Sequence, residues 1–149
     1  MEKQKRIETA IASAWVRVIG RENWLHLEIP EVHKLTGWAR VEDCPSDYSP
    51  YDKNFFETST VKGFFRPLAL ERLENNNGWN LIETEEDLPQ IRWHLKLYLV
   101  LSYEPQNGKQ DARADLFNRE RFTYENVINL YHAGKITHWR LDNDFLPVY

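Results

Sequence analysis

A thirteen-residue alternation from Ile91 to Tyr103 is the sequence feature that most constrains the fold. One set of alternate positions is apolar throughout and consists of Ile91, Trp93, Leu95, Leu97, Leu99 and Leu101. The positions between them hold Arg92, His94, Lys96, Tyr98, Val100 and Ser102. Because successive side chains of a strand point to opposite faces, this pattern predicts a strand whose leucine face covers an apolar core.

Two helices are predicted, one near the N-terminus and one before the last strand. The first has apolar residues at helical spacing, namely Ile7, Ile11, Trp15 and Val18. It is expected to end near Gly20, because glycine suits a left-handed cap. Thr123 is a suitable N-cap for the second helix, and Gly134 is a suitable stop.

Shorter patterns predict the remaining elements. Strands are expected at Leu25–Ile29, Phe55–Phe65 and Lys135–Leu141, and a loop is expected at Cys44–Lys53, which is rich in Pro, Asp and Tyr. We therefore predict an α+β fold with a mostly antiparallel sheet of about five or six strands. An N-terminal amphipathic helix and a short helix before the last strand pack on this sheet around one core.

The Asn- and Gly-rich segment 75–78 predicts an internal boundary, because these residues favour turns over continued helix. Residues 1–76 would form a helix and strand region and residues 77–149 a second region, together making one compact unit. The two regions share a phrase: Gly37-Trp38 and Gly78-Trp79 are each followed by a branched apolar residue, Glu, and later Asp-x-Pro. Either the phrase is a repeat, or Gly-Trp simply begins two strands.

Composition excludes several classes of protein. The chain has 149 residues with 42% hydrophobic side chains, and its formal charge of −4 argues against sequence-independent binding to nucleic acid. The longest uncharged apolar run, Leu97 to Leu101, is far shorter than the roughly 20 residues of a membrane span. The single Cys44 cannot form an internal disulfide, which fits a reducing compartment. These features predict a cytoplasmic protein with no membrane partner.

The second half contains two phrases that carry a family resemblance. One runs from Gly78-Trp79 to Leu88-Pro89, and the other is Ile136-Thr137-His138-Trp139 followed by Pro147-Val148-Tyr149. They resemble the opening and closing phrases of the domain-of-unknown-function family 551 of phage and prophage proteins. This sequence departs from the family by its helix from Thr123 to His132 and by a tail poor in proline. The resemblance implies a phage or prophage protein in a bacterial host and no established activity.

No pattern in the chain predicts a catalytic site, a metal site or a cofactor. The spacings of the five histidines match no zinc signature, and a glycine-rich phosphate loop is absent. His138 is interpreted as a packed residue on the last strand. The competing hypothesis is a small hydrolase in which His138 works with Asp87 or Asp142. We expect a protein that is not an enzyme.

Aromatic residues are the chain's main supply of binding groups. Trp38, Tyr48 and Tyr51 surround the irregular middle segment and are predicted to contact a partner. The resulting hypothesis is a non-enzymatic protein that inhibits a bacterial defence system by stoichiometric binding to a host protein. The alternative is a sponge for a nucleotide-like ligand, with Arg113, Arg119 and Arg121 on the phosphates. A homo-oligomer is compatible with either.

Overall fold

The structure, a computed structural model, describes residues 3–60, 63–89, 98–103, 105 and 117–141. The chain divides into two compact units. The first extends to Glu74 and includes Pro105, and the second begins at Asn75. The predicted boundary between residues 76 and 77 lies beside this division. Each unit has its own cluster of buried hydrophobic side chains.

The α+β class is confirmed, with two helices and two small antiparallel sheets in the described residues. The helices are α1 (Lys3–His26) and α2 (Tyr124–His132). The strands are β1 (Ala39–Arg40), β2 (Phe56–Thr58), β3 (Phe64–Pro67), β4 (Asn80–Leu81), β5 (Tyr98–Ser102), β6 (Phe117–Phe122) and β7 (His138–Leu141). The strand orders are β1-β3-β2 in the first unit and β4-β7-β5-β6 in the second. We expected one sheet; instead, the chain leaves β3 through the 3-10 helices Leu68–Leu70 and Leu73–Gly78 before the second sheet begins.

Helix α1 was predicted to end near Gly20, but it is only interrupted there. Gly20 has φ 83° and ψ 160°, and helical structure then resumes as far as His26. The predicted strand at Leu25–Ile29 is therefore wrong. The resumed helix holds Trp24 stacked on Trp15, with ring centroids 6.4 Å apart. This packing against the core outweighs the local alternation of apolar residues.

Trp15 is the centre of the first unit's core. Its side chain is fully buried, and its ring lies 5.2 Å from Phe65 and 6.0 Å from Phe56. Its Nε1 donates a 3.0 Å hydrogen bond to the carbonyl of Gly37. Gly37 has φ 79°, and a Cβ there would lie 2.8 Å from Cδ1 of Leu70. Glycine is therefore required both by the backbone conformation and by the close packing.

The segment predicted as one strand from Phe55 to Phe65 is two strands, β2 and β3, that pair antiparallel. The pairs include Glu57 with Arg66 and Thr58 with Phe65. Gly63, with φ 103°, precedes β3, and a chain reversal needs such a residue. The loop predicted at Cys44–Lys53 is confirmed, since turns dominate this segment.

In the second unit, helix α2 begins and ends as predicted. The hydroxyl of Thr123 accepts a hydrogen bond from the amide of Asn126 at 3.5 Å, and Gly134 has φ 69°. The helix buries Val127 against β5, where Tyr98 and Val100 are almost completely buried.

Only part of the long predicted strand can be compared with the structure, because residues 91–97 lie outside the described residues. Within β5, Tyr98 and Val100 form the more deeply buried face. The prediction assigned the core to the opposite, leucine face, of which Leu101 is also buried and Leu99 half-buried. The strand is thus covered on both sides, so alternation alone could not identify the core face.

Candidate functional site

The three aromatic residues predicted to contact a partner have different surroundings. Tyr51 is 67% exposed. Tyr48 is half-buried and makes a T-shaped contact with Phe56, with ring centroids 6.4 Å apart. Trp38 is also half-buried, because the guanidinium of Arg66 covers its ring with Cζ 4.1 Å from the centroid. Of the three, Tyr51 alone presents most of its side chain to solvent.

The predicted arginine group cannot be assembled from the described residues. Arg113 lies outside them. Arg119 and Arg121 lie on β6, whose backbone pairs with β5 but whose side chains are not described up to residue 121. The phosphate-binding role of these arginines stays a prediction.

Tyr51, Phe55 and Leu68 are exposed apolar side chains of this loop and of the strand end beside it, and we call these three residues the loop surface. Phe55 is 48% exposed and Leu68 is 37% exposed. The backbones of these two residues are adjacent, because the amide of Leu68 donates to the carbonyl of Phe55 at 3.0 Å. Sequence analysis missed Leu68 because it joins the loop only through the β2–β3 pairing.

Local hydrogen bonds fix the backbone of this loop. The amide of Asp52 donates to the carbonyl of Ser49 at 3.1 Å, and the amide of Phe55 donates to the carbonyl of Asp52 at 3.1 Å. The Asp52 carboxylate accepts a 3.0 Å hydrogen bond from the amide of Asn54. Aromatic groups on a backbone held in this way lose little entropy when they bind a partner.

Arg66 is a buried cation, and each of its three side-chain nitrogens has a partner. Its side chain is 3% exposed, and Nε donates to Oε1 of Glu57 at 2.8 Å. Its two Nη atoms bind the carboxylate of Glu74 at 2.8 and 3.1 Å, and Nη1 also donates to the carbonyl of Thr36 at 2.7 Å. The face of this guanidinium also contacts the ring of Trp38. These contacts link separate segments of the first unit, so Arg66 has a structural role.

Glu74 makes the stability of the first unit depend on pH. The hydrogen bond from Arg66 lowers the pKa of Glu74 below its usual value, and burial opposes this only partly. A carboxyl whose pKa is lower in the folded protein stabilises it above the unfolded pKa, and this contribution is lost as the pH falls through the folded pKa. In denaturation experiments, the difference between wild type and Glu74→Gln should therefore be largest near neutral pH and shrink in acid. Glu71→Gln removes an exposed carboxylate outside the Arg66 cluster, so its difference in stability from the wild type should vary less with pH. The same pH dependence for both variants would contradict the role assigned to the Arg66–Glu74 hydrogen bond.

The two Gly-Trp phrases have the same local structure. Gly37 and Gly78 both have positive φ, 79° and 84°, and each is followed by a half-buried Trp and a two-residue strand. The amides that follow these strands, on Val41 and Ile82, each donate a 2.9 Å hydrogen bond to the strand partner's segment. A 3-10 helix that ends on the Asp of Asp-x-Pro comes next in both phrases. The phrase is therefore a structural repeat.

The repeat extends to the strand that pairs with each phrase. Ala39 pairs with Phe65 and Asn80 pairs with Trp139, so an arginine occupies the next position opposite each Trp. Arg66 lies over Trp38, and Arg140 lies over Trp79 with Cζ 5.7 Å from the ring centroid. The sequence signal was an aromatic residue followed by Arg on each partner strand.

His138 is buried on β7 in a hydrogen-bonded setting. Its Nδ1 lies 2.7 Å from Oγ1 of Thr137, and this hydroxyl accepts the amide of Tyr103 at 2.8 Å. The carboxylate of Asp87, a proposed catalytic partner, accepts the amides of Glu83 and Thr84 at 2.9 and 3.0 Å. Asp142 lies outside the described residues. These contacts give His138 and Asp87 roles in local structure.

Among the described residues, no group of three or more His, Cys, Asp or Glu side chains is arranged to hold a metal ion. The helices of the described residues are too short or too polar to cross a membrane.

Comparison with known proteins gave no relatives: no family model, no curated protein and no solved structure matches the chain. The resemblance to the phage family therefore stays a prediction.

Proposed function

We propose that this chain is a non-enzymatic binding protein that contacts a host protein through the loop surface. The observation that carries the proposal is the exposure of Tyr51, Phe55 and Leu68 on a hydrogen-bonded loop and the strand end beside it. Exposed aromatic side chains on a fixed backbone are typical of residues that dominate interface energies. The family resemblance suggests a phage or prophage protein in a bacterial host. That it inhibits a bacterial defence system by stoichiometric binding is our proposal by analogy with other compact phage proteins that have no catalytic motif.

The contacts of His138 and Asp87 favour binding over catalysis. A hydrolase would need the imidazole and the carboxylate to act together on a substrate. Instead, the Asp87 carboxylate caps a 3-10 turn with two backbone amides, and Nδ1 of His138 faces the hydroxyl of Thr137. Both side chains therefore make hydrogen bonds that stabilise local structure without a substrate.

The decisive variant is Tyr51→Ala. Tyr51 is 67% exposed, so its truncation should leave thermal unfolding nearly unchanged. A central aromatic contact is worth about 2 kcal/mol, so the Kd for the host partner should rise roughly 30-fold. The measurement is calorimetric titration with the protein that co-purifies from host lysate.

Val32→Ala is the matched control. Val32 is 83% exposed in the same unit but lies on a different segment, so its truncation should leave partner affinity at the wild-type value. If Tyr51→Ala and Val32→Ala both bind like the wild type, the loop surface is not the interface. If a folded His138→Ala protein loses its biological effect while binding is intact, the catalytic hypothesis replaces this one.

A further inference from the structure

Arg66 and Arg140 occupy equivalent positions in the structural repeat, but their surroundings differ. Arg66 is buried and donates hydrogen bonds to two carboxylates and a carbonyl. Arg140 is only half-buried, and no carboxylate of the described residues lies within ion-pair distance of it. Its guanidinium lies over Trp79 and beside Gly78, where a Cβ would be 3.8 Å from Cζ of Arg140.

The first unit shows which ligand this arrangement holds. There, the aromatic ring of Trp38 covers one face of the guanidinium, and the Glu74 carboxylate binds both Nη atoms at its edge. A planar carboxylate matches the paired N–H groups of arginine in a bidentate geometry. In the second unit, Trp79 supplies the same aromatic support to Arg140, whereas the described residues provide no counterpart of Glu74.

We propose that Arg140 and Trp79 form a binding site for the carboxylate group of a ligand. The ring restrains the guanidinium, which lowers the entropic cost of binding, and the permanent positive charge attracts the anion. The site belongs to the second unit and is independent of the loop surface. Its ligand is either a small carboxylic acid or the acidic side chain of a polypeptide.

The test uses the full chain and acetate as the probe. The indole N–H resonance of Trp79, assigned by its loss in Trp79→Phe, is followed by NMR at constant ionic strength with chloride as the replaced anion. A saturable shift is expected in the wild type. Arg140→Gln should lower the apparent affinity by on the order of tenfold or more, because a hydrogen-bonded charge is lost. Arg140→Lys keeps the positive charge but lacks the paired N–H groups of arginine, so it should bind acetate with intermediate affinity.

Arg21→Gln is the control, since it removes an exposed arginine of α1 in the other unit and should leave the titration unchanged. A titration with a short Glu-containing peptide identifies the source of the carboxylate. Tighter binding than acetate indicates an acidic polypeptide, and equal binding indicates a small acid; both agree with the proposal. The proposal fails if the wild type shows no saturable shift, if Arg140→Gln binds acetate equally well, or if inorganic phosphate binds more tightly than acetate.

Discussion

Replacing Arg66 with Ala is expected to lower the free energy of unfolding of the first unit by about 3–5 kcal/mol. The substitution leaves the carboxylates of Glu57 and Glu74 and the carbonyl of Thr36 without their shared donor. It also removes the guanidinium from the face of Trp38. The cost comes mainly from like charges and polar groups that stay close together with no cation between them.

Arg140→Ala is the matched control, because Arg140 occupies the equivalent position over Trp79. A half-exposed cation on an aromatic ring contributes roughly 0.5–1 kcal/mol, so the control should be only slightly destabilised. Urea denaturation followed by circular dichroism measures both variants. Similar, small losses for the two would contradict the structural role assigned to Arg66.

Replacing Trp15 with Ala is expected to cost about 3–5 kcal/mol, the usual range for truncating a buried aromatic residue. The ring is fully buried and contacts Trp24, Phe56 and Phe65, so its removal leaves a cavity at the centre of the first unit. The carbonyl of Gly37 also loses its hydrogen-bond donor. Denaturation of the purified variant measures this loss.

Two companion variants separate these contributions. Trp15→Phe fills much of the space but leaves the Gly37 carbonyl unpaired, which costs about 1–3 kcal/mol. Trp24→Ala removes a half-buried ring from the edge of the same cluster and should cost less than Trp15→Ala. If Trp24→Ala proves the more damaging variant, Trp15 is not the centre of this core.

The parts of the fold that the sequence predicted well depend on local chemistry. The cap at Thr123 and the stop at Gly134 were predicted correctly, because a hydroxyl acceptor and a positive φ act on neighbouring backbone groups. The end predicted near Gly20 is only a break, since α1 continues to His26. The prediction of a strand at Leu25–Ile29 was wrong because Trp24, in the helical turns after the break at Gly20, packs on Trp15 before the break. A contact of this kind depends on tertiary structure and cannot be predicted from an alternation of apolar residues over five positions.

Less of the candidate sites could be predicted, because strand pairing brings together residues that are distant in sequence. Trp38 is covered by Arg66 only because β1 and β3 pair antiparallel with Ala39 opposite Phe65. Tyr51 was correctly placed on a loop, but Leu68 joins it through the end of the β2–β3 pairing. The Gly-Trp phrase could be recognised in the sequence. That each phrase is paired with an arginine, Arg66 or Arg140, was apparent only from the strand pairing.

Hydrogen exchange of the chain in complex with its captured host partner tests the central claim most directly. Binding through the loop surface should slow exchange of the amides from Tyr51 to Phe56 and of Leu68, relative to the free protein. The amides of β7 around His138 should exchange at the same rate in both states. Protection confined to β7, with unchanged exchange from Tyr51 to Phe56, would contradict the proposed mode of action.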